Sequence, residues 1–253
     1  MFDTYVINLK NSTQRLSEIS ERLQHCGLEY KRIDAVDGRH SAPTDFPEYN
    51  AKRSVDRHGR ELTGGEVACY LSHVKALMEF INSDARQVLI LEDDASFVAD
   101  FGSQITELSN ALANYKNWDV VNLVERRSDW KHPAFEIGNN LISRAFYFPM
   151  LTSANLWSKE GAVSFIQSKF GQFVSGPIDT ELRSYCAVRG RGLSLENPIS
   201  SPSGAQSEID NSTTTRTQAN KAIQRRPIKP RIVRHFPDYA NAWINMKLLS
   251  KLR

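Results

Sequence analysis

The sequence predicts an α/β fold built around a mixed, mainly parallel sheet. Short apolar runs typical of buried strands alternate along the chain with stretches that keep the hydrophobic period of a helix. Three acids, Glu92, Asp93 and Asp94, directly follow one of these runs, residues 87–91. Because ligands in α/β proteins bind at the carboxyl ends of parallel strands, this acidic run is the first candidate for a functional site.

The chain opens as a strand, a helix and a second strand. Residues 4–9 form the first apolar run, and either Asn11 or Ser12 can cap a helix that continues to about Cys26. The second strand is predicted over 29–34. This β-α-β opening places two parallel strands next to each other.

A long amphipathic helix precedes the acids. Residues 39–60 are rich in charge, proline and glycine and show no steady period, so we predict a loop there. Thr63 and Glu66 then have the T-x-x-E spacing of a capping box, and the apolar residues behind them keep a helical period to Ile81. This helix leads directly into the strand 87–91.

The second half of the chain continues the alternation and completes a main domain over residues 1–200. Its predicted elements are a helix over 101–115 capped by Asp100, a strand over 118–124, one or two strands within 141–157, a helix from Ser158 to about Phe170, a helix from Gly176-Pro177 to about Val188 ended by Gly190, and a last strand over 193–198.

Two segments of unlike composition follow the main domain. Residues 201–224 are rich in Ser, Thr, Asn and Gln, which predicts a flexible linker. From Arg216 to Arg253 the chain has ten Lys or Arg and one acid, a net charge of +9, whereas residues 1–215 have 22 basic and 28 acidic residues, a net charge of −6. A basic tail on an acidic domain indicates an anionic partner, either a membrane or a nucleic acid.

The tail, residues 225–253, has two interpretations. Residues 238–253 can form an amphipathic helix, whose apolar members are Trp243, Ile244, Leu248 and Leu252. Flanked by basic residues, such a helix is typical of a membrane-surface anchor. The same apolar face can instead pack on the main domain.

Composition excludes several classes of protein. At 253 residues with 40% hydrophobic and 24% charged residues, the chain is typical of a globular protein. We find no stretch near the roughly 18 apolar residues of a membrane span and no signal-peptide pattern, so we expect a cytoplasmic protein. Cys26, Cys69 and Cys186 lie far apart without C-x-x-C spacing, which indicates reduced thiols rather than a zinc site or a disulfide framework.

The acidic run suits a cation. Successive side chains of a strand point to opposite faces, so Glu92 and Asp94 are predicted to share a side while Asp93 faces away. Two carboxylates on one side suit Mg²⁺ or Mn²⁺, which keep waters and take further ligands from a substrate phosphate. The alternative is an exposed acidic strand end or a set of helix caps.

Four stretches, in this order, resemble glycosyltransferase family 25, whose bacterial members add sugars, commonly galactose, to lipopolysaccharide or lipooligosaccharide. They are YVINLKNSTQRL (5–16), RIDAVDG (32–38), LTGGEVACYLSHVKAL (62–77) and LILEDDA (89–95). The later stretch GPIDTEL (176–182) is similar to a further block of the family. Beyond about residue 200 the resemblance ends.

The resemblance implies a GT-A-like nucleotide-sugar-binding domain that holds Mn²⁺ or Mg²⁺ on the donor diphosphate. Asp94 and Glu92 would be the metal ligands, with Asp94 the direct one. Residues implied to contact the donor are Ile7, Asn8, Leu9, Arg15, His73, Glu92 and Asp93.

Three further residues of the long helix, Glu66, Ser72 and His73, are polar and need an explanation. Glu66 is explained by the capping box alone. Ser72 and His73 lie in the half of the helix nearer the acids. His73 can bind the donor pyrophosphate or sugar, or it can be a hydrogen-bonded structural histidine.

An inverting transfer needs a general base for the acceptor hydroxyl. Asp179 is the candidate because it lies in the first turn of a helix that follows Gly176-Pro177, and Glu181 is its substitute. The alternative is that Asp179 is stabilised by the helix dipole and paired with Arg183, four residues further on.

These observations predict a metal-dependent glycosyltransferase that uses a UDP-sugar, with UDP-galactose expected, and a lipooligosaccharide or lipopolysaccharide core acceptor. Such an acceptor places the protein at the cytoplasmic face of the inner membrane, with the tail on anionic lipid and no nucleic-acid partner. The alternatives are a catalytically silent GT-A-like binding protein that docks to anionic surfaces, and a metal-dependent phosphotransferase. The last alternative lacks a phosphate-binding motif such as a P-loop.

Overall fold

The computed structural model describes residues 2–124, 130–204 and 231–250. The strands of this part of the chain are β1 (Phe2–Asn8), β2 (Lys31–Asp34), β3 (Gln87–Glu92), β4 (Ala95–Phe97), β5 (Val120–Asn122), β6 (Lys131–Ile137), β7 (Asn140–Ala145), β8 (Ala154–Ser158), β9 (Gly192–Leu195) and β10 (Ser200–Pro202). The α-helices are α1 (Thr13–His25), α2 (Ala51–His58), α3 (Gly64–Ile81), α4 (Phe101–Asn114), α5 (Lys159–Gln167), α6 (Ile178–Arg189) and α7 (Arg231–Ser250). The predicted α/β class is confirmed.

Eight strands form one mixed sheet in the order β2-β1-β3-β8-β5-β9-β7-β6. β1 runs parallel to both β2 and β3, and β5 runs parallel to β9. β8 is antiparallel to its neighbours β3 and β5, so it begins where β3 ends. The carboxyl ends of β1, β2 and β3 and the loop before β8 therefore meet at one edge of the sheet.

The two faces of the sheet bury separate apolar layers. Alternate residues of β3 go to opposite sides, with Val88 and Ile90 in the layer that includes α3 and Leu89 and Leu91 in the layer that includes α1 and α4. All four side chains are fully buried. Each contributes about 1.5–3 kcal/mol of hydrophobic stabilisation, so the end of β3 is a rigid support for the acids that follow.

Local signals fix the start of α3 and the end of α6 as predicted, whereas Ser12 and Asp100, at the starts of α1 and α4, make no side-chain capping hydrogen bond with the described residues. The Thr63 hydroxyl accepts a hydrogen bond from the Glu66 amide at 3.2 Å, and the Glu66 carboxylate accepts one from the Thr63 amide at 2.9 Å. Gly190 ends α6 with a left-handed backbone, φ +63°. The capping box of α3 and the end of α6 are confirmed.

Residues 39–60 differ from the predicted loop because they include α2. Asn50 caps this helix by accepting a hydrogen bond from the Arg53 amide at 2.9 Å, and Gly59 ends it with φ +76°. The buried side chain of α2 is Ser54, so the helix lacks the apolar period that would have revealed it. The stretch 141–157 resolves into two strands, β7 and β8.

The C-terminal helix α7 packs against α6 through small and polar side chains. Ala242 is fully buried beside Phe146 and Ala187. The Ser184 hydroxyl donates a hydrogen bond to the Asp238 carboxylate at 2.7 Å. α7 therefore packs on the main domain through a face other than the apolar one for which the sequence suggested such packing.

The opposite face of α7 is apolar and exposed. We call its side chains the apolar stripe, and they are Phe236, Trp243, Ile244 and Leu248. Trp243 is 51% exposed and Leu248 56% exposed, so neither is covered by the described part of the main domain. Leu252 and most of the predicted linker 201–224 lie outside the described residues. Among the described helices, none is long and apolar enough to cross a membrane.

Candidate active site

A cleft opens at the sheet edge where β1, β2 and β3 end. One wall is the middle of α3, and the opposite side is formed by the chain that follows β2 and β3. The predicted donor and metal residues all line it: Ile7, Asn8, Leu9, Arg15, His73, Glu92, Asp93 and Asp94. The structure thus brings together residues that are up to 87 positions apart in the sequence.

Asp93 is the most firmly held of the three acids. Its carboxylate accepts a hydrogen bond from the Asn8 side chain at 2.7 Å and contacts an Arg15 guanidinium nitrogen at 2.6 Å. The expectation that Asp93 faces away from its neighbours was wrong. β3 ends at Glu92, and the strand alternation therefore does not extend to Asp93 and Asp94, which lie in the turn before β4.

Glu92 is held by groups from two other segments. Its carboxylate contacts His73 Nε2 at 3.0 Å and accepts a hydrogen bond from the Thr152 hydroxyl at 2.8 Å. Burial alone would raise the pKa of Glu92, but the hydrogen bond and charge of His73, with those of Thr152 and Arg15, outweigh burial and lower the pKa. Glu92 therefore stays ionised at neutral pH.

Asp94 has the opposite environment. Its Oδ1 atom is buried and has no hydrogen-bond partner in the described ranges, and its Oδ2 lies 3.6 Å from Arg15. Burial, followed by the charge of Glu92, raises the pKa of Asp94 to about 6. A buried carboxylate oxygen without a partner is costly unless a cation or proton reaches it. Asp94 and Glu92 therefore fit a hard divalent cation, for which Asp94 offers the free oxygen.

Glu66 and Ser72 serve the framework of the cleft. The Glu66 carboxylate accepts two hydrogen bonds from the Arg60 guanidinium, at 2.7 and 2.5 Å, in addition to its capping role. The Ser72 hydroxyl donates to the Ala68 carbonyl at 2.7 Å and accepts from the Val36 amide at 2.9 Å. Ser72 thus fastens the chain after β2 to α3.

Asp179 and Glu181, the two candidates for the base, have different surroundings. Asp179 is half-buried at the start of α6, and burial, with a further contribution from the charge of Glu92, raises its pKa. Glu181 is fully buried and contacts His58 Nε2 at 3.1 Å and Arg57 at 3.4 Å. Glu181 thus points toward α2, where an acceptor cannot reach it.

Arg183 does not pair with Asp179 as the helical spacing suggested. Its guanidinium donates to the Phe148 carbonyl at 2.6 Å and lies over the Tyr147 ring, 4.3 Å from the ring centroid. Asp179 instead accepts hydrogen bonds from the amide and hydroxyl of Thr180, at 2.6 and 3.2 Å. Both hydrogen bonds reach Oδ1, so Oδ2 of Asp179 has no hydrogen-bond partner among the described residues.

Thr152, which contacts Glu92, and Cys69, which lines the cleft, are among the residues that sequence reasoning missed. Thr152 reaches Glu92 from the loop before β8, and no sequence pattern announces that contact. Cys69 lines the cleft, and burial with the charges of Glu92 and Asp179 raises the pKa of its thiol. Its position four residues before His73 on one helix was the available signal, because such residues share a helix face.

Comparison with known proteins identifies the family. The model described as "Glycosyltransferase family 25 (LPS biosynthesis protein)" matches residues 1–160. The chain belongs to glycosyltransferase family 25. The family predicted from the four sequence blocks is therefore confirmed.

Relatives in this family are considerably longer than the chain. A glycosyltransferase 25 family member of Drosophila melanogaster is 26% identical over 170 residues, which are 65% of this chain and 28% of that protein. Procollagen galactosyltransferase 2 of Homo sapiens is 25% identical over 185 residues, 70% of this chain and 29% of that protein. The chain spans less than a third of the length of either relative.

Among solved structures, a glycosyltransferase involved in the glycosylation of the major capsid of PBCV-1 aligns over 88% of this chain and 98% of that chain. The sequence identity is 9% and the TM-score is 0.42.

Proposed function

We propose that the protein transfers galactose from UDP-galactose to a saccharide acceptor, with inversion at the transferred carbon and with Mn²⁺ or Mg²⁺ as cofactor. The observation that carries the proposal is the buried Oδ1 atom of Asp94, beside Glu92 at the end of β3, which has no hydrogen-bond partner among the described residues. Galactose as the donor sugar is supported by procollagen galactosyltransferase 2 among the relatives.

The donor would lie along the carboxyl end of β1. Ile7, Asn8 and Leu9 would line the pocket for the uracil and ribose. Asn8 is already fixed on both sides, since it donates to Asp93 at 2.7 Å and accepts from Arg32 at 3.1 Å. Arg15 would contribute positive charge to the diphosphate, because its guanidinium borders the cleft at Asp93 and Asp94.

Asp94 and Glu92 would hold the cofactor. When bound, a divalent cation neutralises negative charge that develops on the leaving nucleoside diphosphate. His73 and Thr152 both contact Oε1 of Glu92 and keep the carboxylate in one orientation, so Oε2 would be the oxygen offered to the cation.

Asp179 would act as the general base. In an inverting transfer its carboxylate takes the proton of the acceptor hydroxyl as that oxygen bonds to the anomeric carbon and UDP departs. The raised pKa of Asp179 makes it a stronger base than an exposed aspartate. The negative charge of Glu92 contributes to this raised pKa, which supports the proposal that Asp179 serves an acceptor bound next to the donor cleft.

The acceptor would be a lipid-linked saccharide of the lipopolysaccharide or lipooligosaccharide core, as the description of the family suggests. Such an acceptor lies at the cytoplasmic face of an inner membrane that contains anionic lipid. The apolar stripe of α7 and the net charge of +9 over residues 216–253 both suit that surface, at about 1 kcal/mol for each basic residue near the membrane. We therefore place the protein there as a peripheral protein.

Nucleotide-sugar hydrolysis tests the catalytic part of the proposal. Glycosyltransferases without acceptor transfer the sugar slowly to water, so we expect release of UDP from UDP-galactose that depends on Mn²⁺ and stops with excess chelator. UDP-glucose and UDP-N-acetylglucosamine are the matched donors. Binding of UDP without turnover of any donor would favour the catalytically silent binding protein, and absence of UDP binding would contradict the proposal.

Vesicle sedimentation tests the membrane part. Changing Trp243, Ile244 and Leu248 together to Ser should release the protein from anionic vesicles, while hydrolysis of UDP-galactose in solution is unchanged. Met78→Ser is the control, because Met78 is 42% exposed but lies on α3. Binding of wild-type protein should weaken with salt, since charge attraction is screened over about 8 Å at physiological ionic strength. Equal sedimentation of all three proteins would contradict the membrane assignment.

A further inference from the structure

A cysteine, a histidine and a glutamate converge on one wall of the cleft. Cys69 and His73 lie one turn apart on α3, and Glu92 ends β3 opposite them. The thiol sulfur of Cys69, a ring nitrogen of His73 and a carboxylate oxygen of Glu92 all lie within 4.8 Å of one another. Three ligand atoms this close can reach a common metal ion with small side-chain rotations.

The chemistry of these three groups differs from that of an oxygen-only site. Thiolate and imidazole select Zn²⁺ and similar borderline metals, whereas Mg²⁺ and Mn²⁺ prefer carboxylates, carbonyls and water. Zinc sites in enzymes commonly use three protein ligands and leave one position open. The combination of Cys69, His73 and Glu92 matches that ligand number, and its open position would face the cleft, which all three residues line.

The surroundings of the triad hold its ligands in place. The Thr152 hydroxyl donates to Glu92 at 2.8 Å, and hydrogen bonds of this kind orient metal-binding carboxylates. Both helical ligands come from α3, whose N-terminus is fixed by the capping box and by Arg60. Within the described part of the chain, the two other cysteines belong to no such group of ligands: Cys186 is buried in the apolar core and Cys26 follows α1.

We propose that Cys69, His73 and Glu92 form a binding site for Zn²⁺ or Co²⁺. This site differs from the proposed Mn²⁺ or Mg²⁺ site of Asp94 and Glu92, although Glu92 is a ligand in both. When the metal binds, the thiol of Cys69 releases its proton to solvent and its sulfur coordinates the metal. Because one Glu92 carboxylate cannot serve both arrangements equally, Zn²⁺ would compete with Mn²⁺ and inhibit the protein. The site itself does not depend on the proposed glycosyl transfer.

The absorption spectrum of Co²⁺ tests the site directly. Metal-free protein titrated with Co²⁺ should develop the near-ultraviolet charge-transfer band of a cobalt thiolate, and Zn²⁺ should remove it. The band should be lost in Cys69→Ser and kept in Cys26→Ser, the matched control. Absence of the band in the wild type, or its persistence in Cys69→Ser, would overturn the proposal.

X-ray absorption of the zinc-loaded wild-type protein gives a second measurement that needs no substitution. We expect one sulfur ligand at about 2.3 Å with nitrogen and oxygen ligands at about 2.0–2.2 Å. A zinc shell without sulfur would rule out Cys69 even if Cys69→Ser fails to fold. Mn²⁺-dependent hydrolysis of UDP-galactose, measured on the same preparation, separates failure of this site from failure of the proposed function.

Discussion

Two groups of buried carboxylates differ in the partners that surround them. One group lies at the end of β3, and the other lies at the junction of α2, α6 and α7. At the junction, Glu181 contacts His58 and Arg57, and Asp238 accepts a hydrogen bond from Ser184. We call this the closed cluster. At the end of β3, which we call the open cluster, the buried Oδ1 of Asp94 has neither a hydrogen bond nor an ion pair among the described residues, whereas Oε2 of Glu181, which also lacks a hydrogen bond there, lies 3.4 Å from Arg57.

The difference indicates which acids contribute to activity and which contribute to stability. A buried carboxylate that is held by ion pairs stabilises its neighbours, and removal of one partner is costly. A buried carboxylate with an unused oxygen carries an unfavourable energy that a ligand can relieve, and such groups are candidates for functional sites. The open cluster is therefore expected to control activity, and the closed cluster is expected to control stability.

The largest effect is expected at Asp179, which lies two residues from a member of the closed cluster. Asp179→Asn should lower the transfer rate by about 10² to 10⁴, because the amide cannot take the acceptor proton. The affinity for UDP, measured by calorimetry, should change little. Weaker UDP binding with an unchanged rate at saturation would instead assign Asp179 to the donor pocket.

Asp94→Asn should reduce turnover of UDP-galactose by about 10³, since loss of the charged ligand removes several kcal/mol of transition-state stabilisation. Asp238→Asn, in the closed cluster, is the matched control and should leave the rate nearly unchanged. Full activity of Asp94→Asn, or of wild-type protein with excess chelator, would remove the distinction between the two clusters.

Glu181→Gln should act on stability rather than on catalysis. The substitution leaves His58 without its charged partner and Arg57 with Asp238 alone, 3.8 Å away, and loss of one member of a buried pair lowers the free energy of unfolding by about 3 kcal/mol. Chemical denaturation measures this change, and the rate at saturating substrate should stay within a few-fold of wild type. A folded Glu181→Gln with a catalytic defect as large as that of Asp179→Asn would contradict the structural role.

The smallest effect concerns the pH dependence of stability in chelator-treated protein. The pKa of Asp94 is about 6 in the folded state against an ordinary value of 3.8, so folding favours its protonated form. Stability should therefore fall as pH rises from about 4 to about 6, by about 1–3 kcal/mol. In thermal unfolding, Asp94→Asn should lose this part of the dependence of stability on pH. The same pH dependence in both proteins would show that folding does not raise the pKa of Asp94.

The sequence by itself determined the features that depend on neighbouring residues. The capping box of Thr63 and Glu66, the stop at Gly190 and the strand ending in acids all rest on contacts within a few positions, so local patterns predict them. The four blocks of the first hundred residues likewise identified the family before any contact was known. Helix α2 was missed because its buried side chain is a serine, which produces no hydrophobic period.

Only the tertiary structure decided what each acid does. Asp93 turns into the cleft because β3 ends one residue earlier, and Glu92 is oriented by Thr152, sixty positions away. Asp179 and Glu181 lie on one helix turn, yet Asp179 is half-buried and Glu181 is fully buried against α2. The charge state and burial of each acid depend on groups that folding brings close to it from distant segments of the chain. No pattern of neighbouring residues in the sequence encodes the distances between the acid and those groups.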